Sequence, residues 1–201
     1  MIAEVLKKEK TYTVEAYFKQ EECSNYKNEF RNGKIIAMAG GSYAHNLIIG
    51  NIFAYLFFNL NDIFSVLNSE VAIYMTEHHH FVYSDTAVLK GKPEFYKENK
   101  RAIINPTLVF EVTSPSTEKY DRFVKFNKYK TIPTFKEYVI VDQQMPLVEV
   151  FYKEKNDVWI RKSYIGLEDK VVLNSVDYTL KMSDIYKKVD GLLDPQTTLN
   201  I

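Results

Sequence analysis

The sequence predicts an α/β (α+β) fold, a mixed β-sheet core flanked by helices, and three observations carry that prediction. Residues 43–59 place apolar side chains at 48, 49, 52, 53, 56 and 57, and 60 continues the series. This is the stripe of a helix packed on a sheet. The runs 107–113 and 136–142 have the near-continuous hydrophobicity of interior strands. The element order they anchor, β-β-α-β-β-β-α-β-β, is neither a doubly wound alternation nor an all-β sandwich.

The elements follow in order. Thr13 caps a short helix through Gln20, with Glu15 favourably placed in the first turn. Tyr26 to Gly33 and Lys34 to Ala39 read as two strands joined at Asn32-Gly33, residues that tolerate positive φ. Gly40-Gly41 leads into the long helix, with Ser42 as its cap. Strands are expected at Phe64 to Leu67, Glu70 to Met75 and Phe81 to Leu89. Lys90 to Asn105 is polar and poorly periodic, and reads as a loop with one helical turn. Ser114-Pro115-Ser116-Thr117 ends the 107–113 strand and starts a helix over Glu118 to Thr131. After the 136–142 strand, Leu147 to Tyr152 and Val158 to Tyr164 form a hairpin around Asn156-Asp157. A short strand from Lys170 and a helix over Lys181 to Val189 follow, and the last dozen residues are loose. The expected organisation is an N-terminal extension (1–10), one domain (11–190) and a tail (191–201).

Composition narrows the function classes. With 26 basic and 26 acidic residues the formal net charge is zero. Non-specific nucleic-acid coating draws its affinity from a basic excess, so that role is disfavoured. Nucleic-acid contact must come from a local patch, a metal or a dimer groove. Two basic groups qualify as patches or as solvated faces: Lys90, Lys92, Lys97, Lys100 and Arg101, and Lys119, Arg122, Lys128 and Lys130. Cys23 is the only cysteine, which excludes an intrachain disulfide and a cysteine-built zinc site. The N-terminus lacks the apolar core of a signal peptide, and Leu47 to Leu60 is too short to span a bilayer. A cytoplasmic protein without a membrane partner is expected.

Glu111 is the most informative residue. A carboxylate inside an apolar strand is costly to bury unless paired, protonated or metal-bound. Alone, it is equally a paired or sheet-edge glutamate. Asp85 lies in a second expected strand, and two acids on adjacent strands can share a hard cation such as Mg²⁺. Asp121, Lys125 and Tyr129 recur every four residues, on one helix face that follows the Glu111 strand. From that face Lys125 can reach back and stabilise charge at a reacting phosphate. Spacing alone favours an ordinary surface Asp–Lys pair.

Several segments together resemble the Uma-type restriction endonuclease family, a branch of the PD-(D/E)XK phosphodiesterase superfamily. They are Tyr12-Thr-Val-Glu-Ala-Tyr17, Glu29 with Asn32-Gly33-Lys34-Ile35, Met38, His45 and Tyr83-Ser-Asp85. They continue with Phe110-Glu-Val-Thr-Ser-Pro-Ser-Thr117, then Asp121, Lys125 and Tyr129, then Glu137-Tyr138 and Val141-Asp142. The resemblance implies a restriction-endonuclease-like fold and a metal-dependent endonuclease, with Mg²⁺ or Mn²⁺ as cofactor, and the first hypothesis it opens is cleavage of DNA, with a homodimer as one route to cutting both strands. It implies Asp85, Glu111 and Glu29 as metal ligands and Lys125 as the catalytic lysine. Thr113 stands where the superfamily motif has its lysine, and Lys125 replaces it from the helix. Ser84 stands in place of the motif proline. His45, Asp121 and Tyr129 are accessory candidates. His78-His79-His80 reads as a hairpin connection, because consecutive side chains of an extended segment diverge. Gly40-Gly41 is too short to cradle a phosphate. The alternatives are a nuclease-fold domain acting by protein or nucleic-acid binding, and a phosphodiesterase acting on RNA.

Overall fold

The turn at Asn32-Gly33 sets the first pairing. With φ of 49° and 80° these residues close a two-residue hairpin between β1 (Asn28–Arg31) and β2 (Lys34–Ala37). The computed structural model describes residues 10–38, 40–97, 99–114 and 117–199. Ala39, Pro115, Ser116, most of the N-terminal extension and the last two residues of the tail lie outside them.

Helix α1 (Val14–Cys23) starts at Thr13, whose hydroxyl accepts from the amide of Ala16. Helix α2 (Tyr43–Asn59) starts at Ser42, whose hydroxyl accepts from the amide of His45. Then come β3 (Phe64–Asn68), β4 (Ala72–Met75), β5 (His80–Tyr83), β6 (Thr86–Lys90), β7 (Phe95–Tyr96), β8 (Asn99–Ile103) and β9 (Leu108–Thr113). A helical segment follows, in which Tyr120–Lys125 is π-helical and runs into α3 (Phe126–Tyr129). The chain continues through β10 (Glu137–Asp142), β11 (Leu147–Lys153), β12 (Trp159–Ile165), β13 (Lys170–Leu173), β14 (Tyr178–Lys181), α4 (Met182–Ile185) and α5 (Pro195–Leu199).

The strands form two mixed six-stranded sheets, ordered β2-β1-β5-β4-β8-β7 and β12-β11-β10-β9-β6-β3, plus the β13–β14 hairpin. The mixed α/β class matches the sequence expectation, and four details do not. Residues 81–89 are two strands in different sheets, broken at Ser84-Asp85. The expected loop 90–105 contains β7 and β8, because β8 pairs with the distant β4. The region from Lys170 is a two-stranded hairpin followed by only one helical turn at α4. The expected loose tail contains α5.

Strand parity divides the core. Leu108, Phe110 and Val112 of β9 pack with Ile48, Ile52 and Leu56 of α2. Each of these α2 side chains, fully buried, stabilises the fold by roughly 1.5–3 kcal/mol. Val109 points the other way and joins Phe126, Tyr129 and Tyr138. Glu111 shares the parity of Val109, so it faces the π-helical segment. A third cluster of Tyr17, Phe30, Tyr74 and Phe81 joins α1 to the first sheet, so those aromatic side chains serve as core.

Candidate active site

The bend at Ser84-Asp85 is where the chain leaves one six-stranded sheet for the other. It puts Asp85 next to the end of β9, where its Oδ2 accepts from the amide of Val112 at 2.7 Å. Its Oδ1 lies 3.4 Å from His45 Nε2, at the first turn of α2. Burial opposes a charge on His45, but the Asp85 carboxylate outweighs it and the imidazole pKa is raised.

Lys125 is the hub of a buried cluster. Its Nζ donates to Glu111 Oε1 at 2.8 Å and to the carbonyl of Tyr83 at 2.8 Å. It also lies 4.0 Å from Glu29 Oε1 and 3.9 Å from Asp121 Oδ1. The Tyr129 hydroxyl donates to Glu111 Oε1 at 3.3 Å. The π-helical winding bears on this geometry: the amide of Phe126 reaches the carbonyl of Asp121, five residues back. That carbonyl also accepts from the buried Tyr138 hydroxyl at 3.0 Å.

The charges do not balance. Among the described residues, the ion pairs that Glu29, Asp85, Glu111 and Asp121 make with permanent cations go to two of them, Lys125 and Arg31. Burial pushes the Glu111 pKa well up; Lys125 opposes the shift, and Asp121 and Asp85 add to it. Asp121 is also raised by burial, against the pull of Lys125. Burial would strip Lys125 of its proton, but Glu111, Glu29 and Asp121 together hold it protonated. Asp85 and His45 retain 17% and 19% side-chain exposure, against 5% for Glu111, so the cluster meets water on the Asp85 side.

A family described as "Uma2: Putative restriction endonuclease" matches residues 14–183. The chain belongs to this family. The matched span contains the whole cluster. Two Synechocystis relatives, "Uncharacterized protein sll1609" and "Uncharacterized protein slr1290", are 32% and 30% identical to this chain. Their alignments cover 78% and 86% of this chain and 89% and 90% of those proteins. A crystal structure of a "putative nuclease belonging to DUF820" from Anabaena variabilis superposes with a TM-score of 0.69 at 16% identity. It covers 87% of this chain and 97% of its own. That likeness shows the fold, and the family places the chain in the restriction-endonuclease-like class.

Among the described residues no three His, Cys, Asp or Glu side chains form a ready metal-binding group. The reason is visible at Glu29. Arg31 holds its Oε2 through Nε and Nη2, and Oε1 faces Lys125 and the amide of Tyr83. Asp85 and Glu111 suit a hard divalent cation better. They offer oxygen donors in a cluster with excess negative charge, and Mg²⁺ commonly takes one or two carboxylates and keeps its waters. Thr113 is buried against the carbonyl of Val141 and takes no part. The histidine run is a connection, as the sequence suggests: His79 is left-handed at φ 50° and His80 opens β5. Sequence reasoning overlooked Arg31. The period-2 rule could have found it, because residues two apart on a strand share a face with Glu29.

Proposed function

We propose that this protein is a divalent-metal-dependent endonuclease that hydrolyses phosphodiester bonds of DNA, with Asp85 and Glu111 holding the ion and Lys125 as the catalytic lysine. The observation that carries the reading is the buried Lys125–Glu111 contact at 2.8 Å, in a carboxylate cluster that opens to water at Asp85. Held by Asp85 and Glu111, a divalent ion would supply Lewis-acid polarisation of the phosphoryl group and would make a water more acidic.

The chain's own residues do the rest. Lys125 stays protonated and presents positive charge where the phosphoryl oxygens gain negative charge. Glu111 and Asp121 hold its ammonium group, and the Tyr129 hydroxyl fixes the Glu111 carboxylate. Glu29 anchors Arg31 beside the cluster. His45 and the amide of Val112 orient Asp85. Cutting both strands of a duplex calls for two such centres, hence a homodimer.

A second reading, a nuclease fold acting through binding alone, is favoured by one observation: Lys125 already partners Glu111 directly. Incubating supercoiled plasmid with Mg²⁺ or Mn²⁺ separates the two. We expect nicking by the wild type, none in EDTA, and a loss of at least a hundredfold in folded Glu111→Ala, the order of removing one preorganised catalytic group. Equal nicking by that variant would overturn the assignment, and no nicking by the wild type with either ion would favour binding alone.

A further inference from the structure

Glu29 and Lys125 each have a basic neighbour one step further along the same element. Arg31 lies two residues beyond Glu29 on β1, and Lys128 lies one helical turn beyond Lys125. Arg31 pairs with His80 in the β1–β5 register, and its guanidinium stacks 4.0 Å above the ring of Tyr120. Lys128 Nζ lies 3.1 Å from His80 Nδ1. The two cations therefore converge on His80, beside the carboxylate cluster.

Lys128 is the less neutralised of the two, because Arg31 is already held by Glu29. Among the described residues the Lys128 ammonium has no ion pair, and its one hydrogen-bond contact is the His80 ring. Arg122, by contrast, is paired with Glu118 and Glu149, and Arg101 with Glu22. The Lys128 pKa is lowered first by burial and then by the charge of Arg31, with Glu29 opposing, and an anion beside both cations relieves the repulsion between them. The Arg31 guanidinium reaches back to Glu29, with Nε 2.7 Å from Oε2, and so borders the carboxylate cluster itself. Arg31, with 24% of its side chain exposed, and the half-buried Lys128 remain open to an anion.

We propose that Arg31 and Lys128, seated on Tyr120 and His80, form a subsite for a backbone phosphate next to the one at the reactive centre. It rests on the nuclease reading and adds to it the direction in which the strand leaves the site, along β1 toward His80. The contact is to phosphate and carries no base information, so it holds any sequence alike.

The test is fluorescence anisotropy with a labelled DNA duplex of mixed sequence, titrated with salt, in EDTA and again in Ca²⁺. The proteins are the wild type, Lys128→Gln, Arg31→Gln and Lys170→Gln. Lys170 sits on β13, outside the cluster, and controls for lost charge. For Lys128→Gln and Arg31→Gln we expect affinity at low salt to fall several-fold, with the log–log salt slope shallower by about 1 for each. Lys170→Gln should match the wild type. Lys128→Gln changes one half-buried side chain, so circular dichroism on it confirms the fold if Arg31→Gln misfolds. Wild-type binding with an unchanged slope in a folded Lys128→Gln overturns the subsite and leaves the proposed function standing. Failure of the wild type to bind DNA in either condition overturns both.

Discussion

Lys125 meets Glu111 at 2.8 Å where the π-helical segment faces β9, with both side chains almost fully buried. A buried pair of this kind is expensive to break, because the remaining charge has no solvent to fall back on. Lys125→Met leaves Glu111 and Asp121 uncompensated. It should lower the unfolding free energy of the metal-free protein by about 3 kcal/mol and abolish metal-dependent cleavage. Urea denaturation checks the first part, and an unchanged midpoint would contradict it.

Asp121 should act in the opposite direction. Its folded pKa is raised, first by burial, so its stabilising share is present below the ordinary carboxylate range and is lost as pH rises through the folded value. At neutral pH the ionised group therefore costs stability. Asp121→Asn should raise the melting temperature of the metal-free protein at pH 7 and gain little near pH 4. A drop at pH 7, or an equal gain at both, would rule this out.

His80 gives a separate pH signature. Burial, then the charge of Lys128, depress its pKa from 6.5 to about 4. Stability owed to the neutral ring is complete above 6.5 and is lost as pH falls through about 4. NMR of the imidazole should show no titration near 6.5, and His80→Gln should flatten the acid limb of the stability curve. A normal histidine titration at this position refutes the burial argument.

Tyr138 holds the π-helical turn through its 3.0 Å hydrogen bond to the carbonyl of Asp121. Tyr138→Phe should cost about 1 kcal/mol and lower kcat more than it raises KM, because it loosens the backbone that aims Lys125. Steady-state cleavage kinetics test the split; a pure KM effect would point to substrate binding instead.

Much of this arrangement was legible in the sequence, for reasons that individual residues make plain. Residues 43–59 read as a helix because the apolar stripe and the Ser42 cap agree. The grouping of Asp121, Lys125 and Tyr129 read from four-residue spacing, and all three do converge on one cluster. The π-helical winding carried no signal in the four-residue spacing, and the Tyr138 hydroxyl that bonds the Asp121 carbonyl comes from a distant strand. The break at Asp85 was hidden by flanking residues that are apolar on both sides, although they belong to different sheets. β7 and β8 carry no alternation because β7 is two residues long and β8 opens with three polar residues, and only the pairings of β8 with β4 and of β7 with β8 identify them. Period 2 along β1 puts Arg31 on the face of Glu29, whereas its stacking on Tyr120 and its pairing with His80 join residues distant in sequence.

The most direct test of the central claim is calorimetry of Mg²⁺ and Mn²⁺ binding to the wild type and to Asp85→Ala, with cleavage of a mixed DNA substrate assayed in parallel at low salt. The account predicts that the wild type binds the ion and cuts, and that a folded Asp85→Ala loses both together. Binding that survives intact in Asp85→Ala, or cleavage by the wild type that needs no divalent ion, would contradict it.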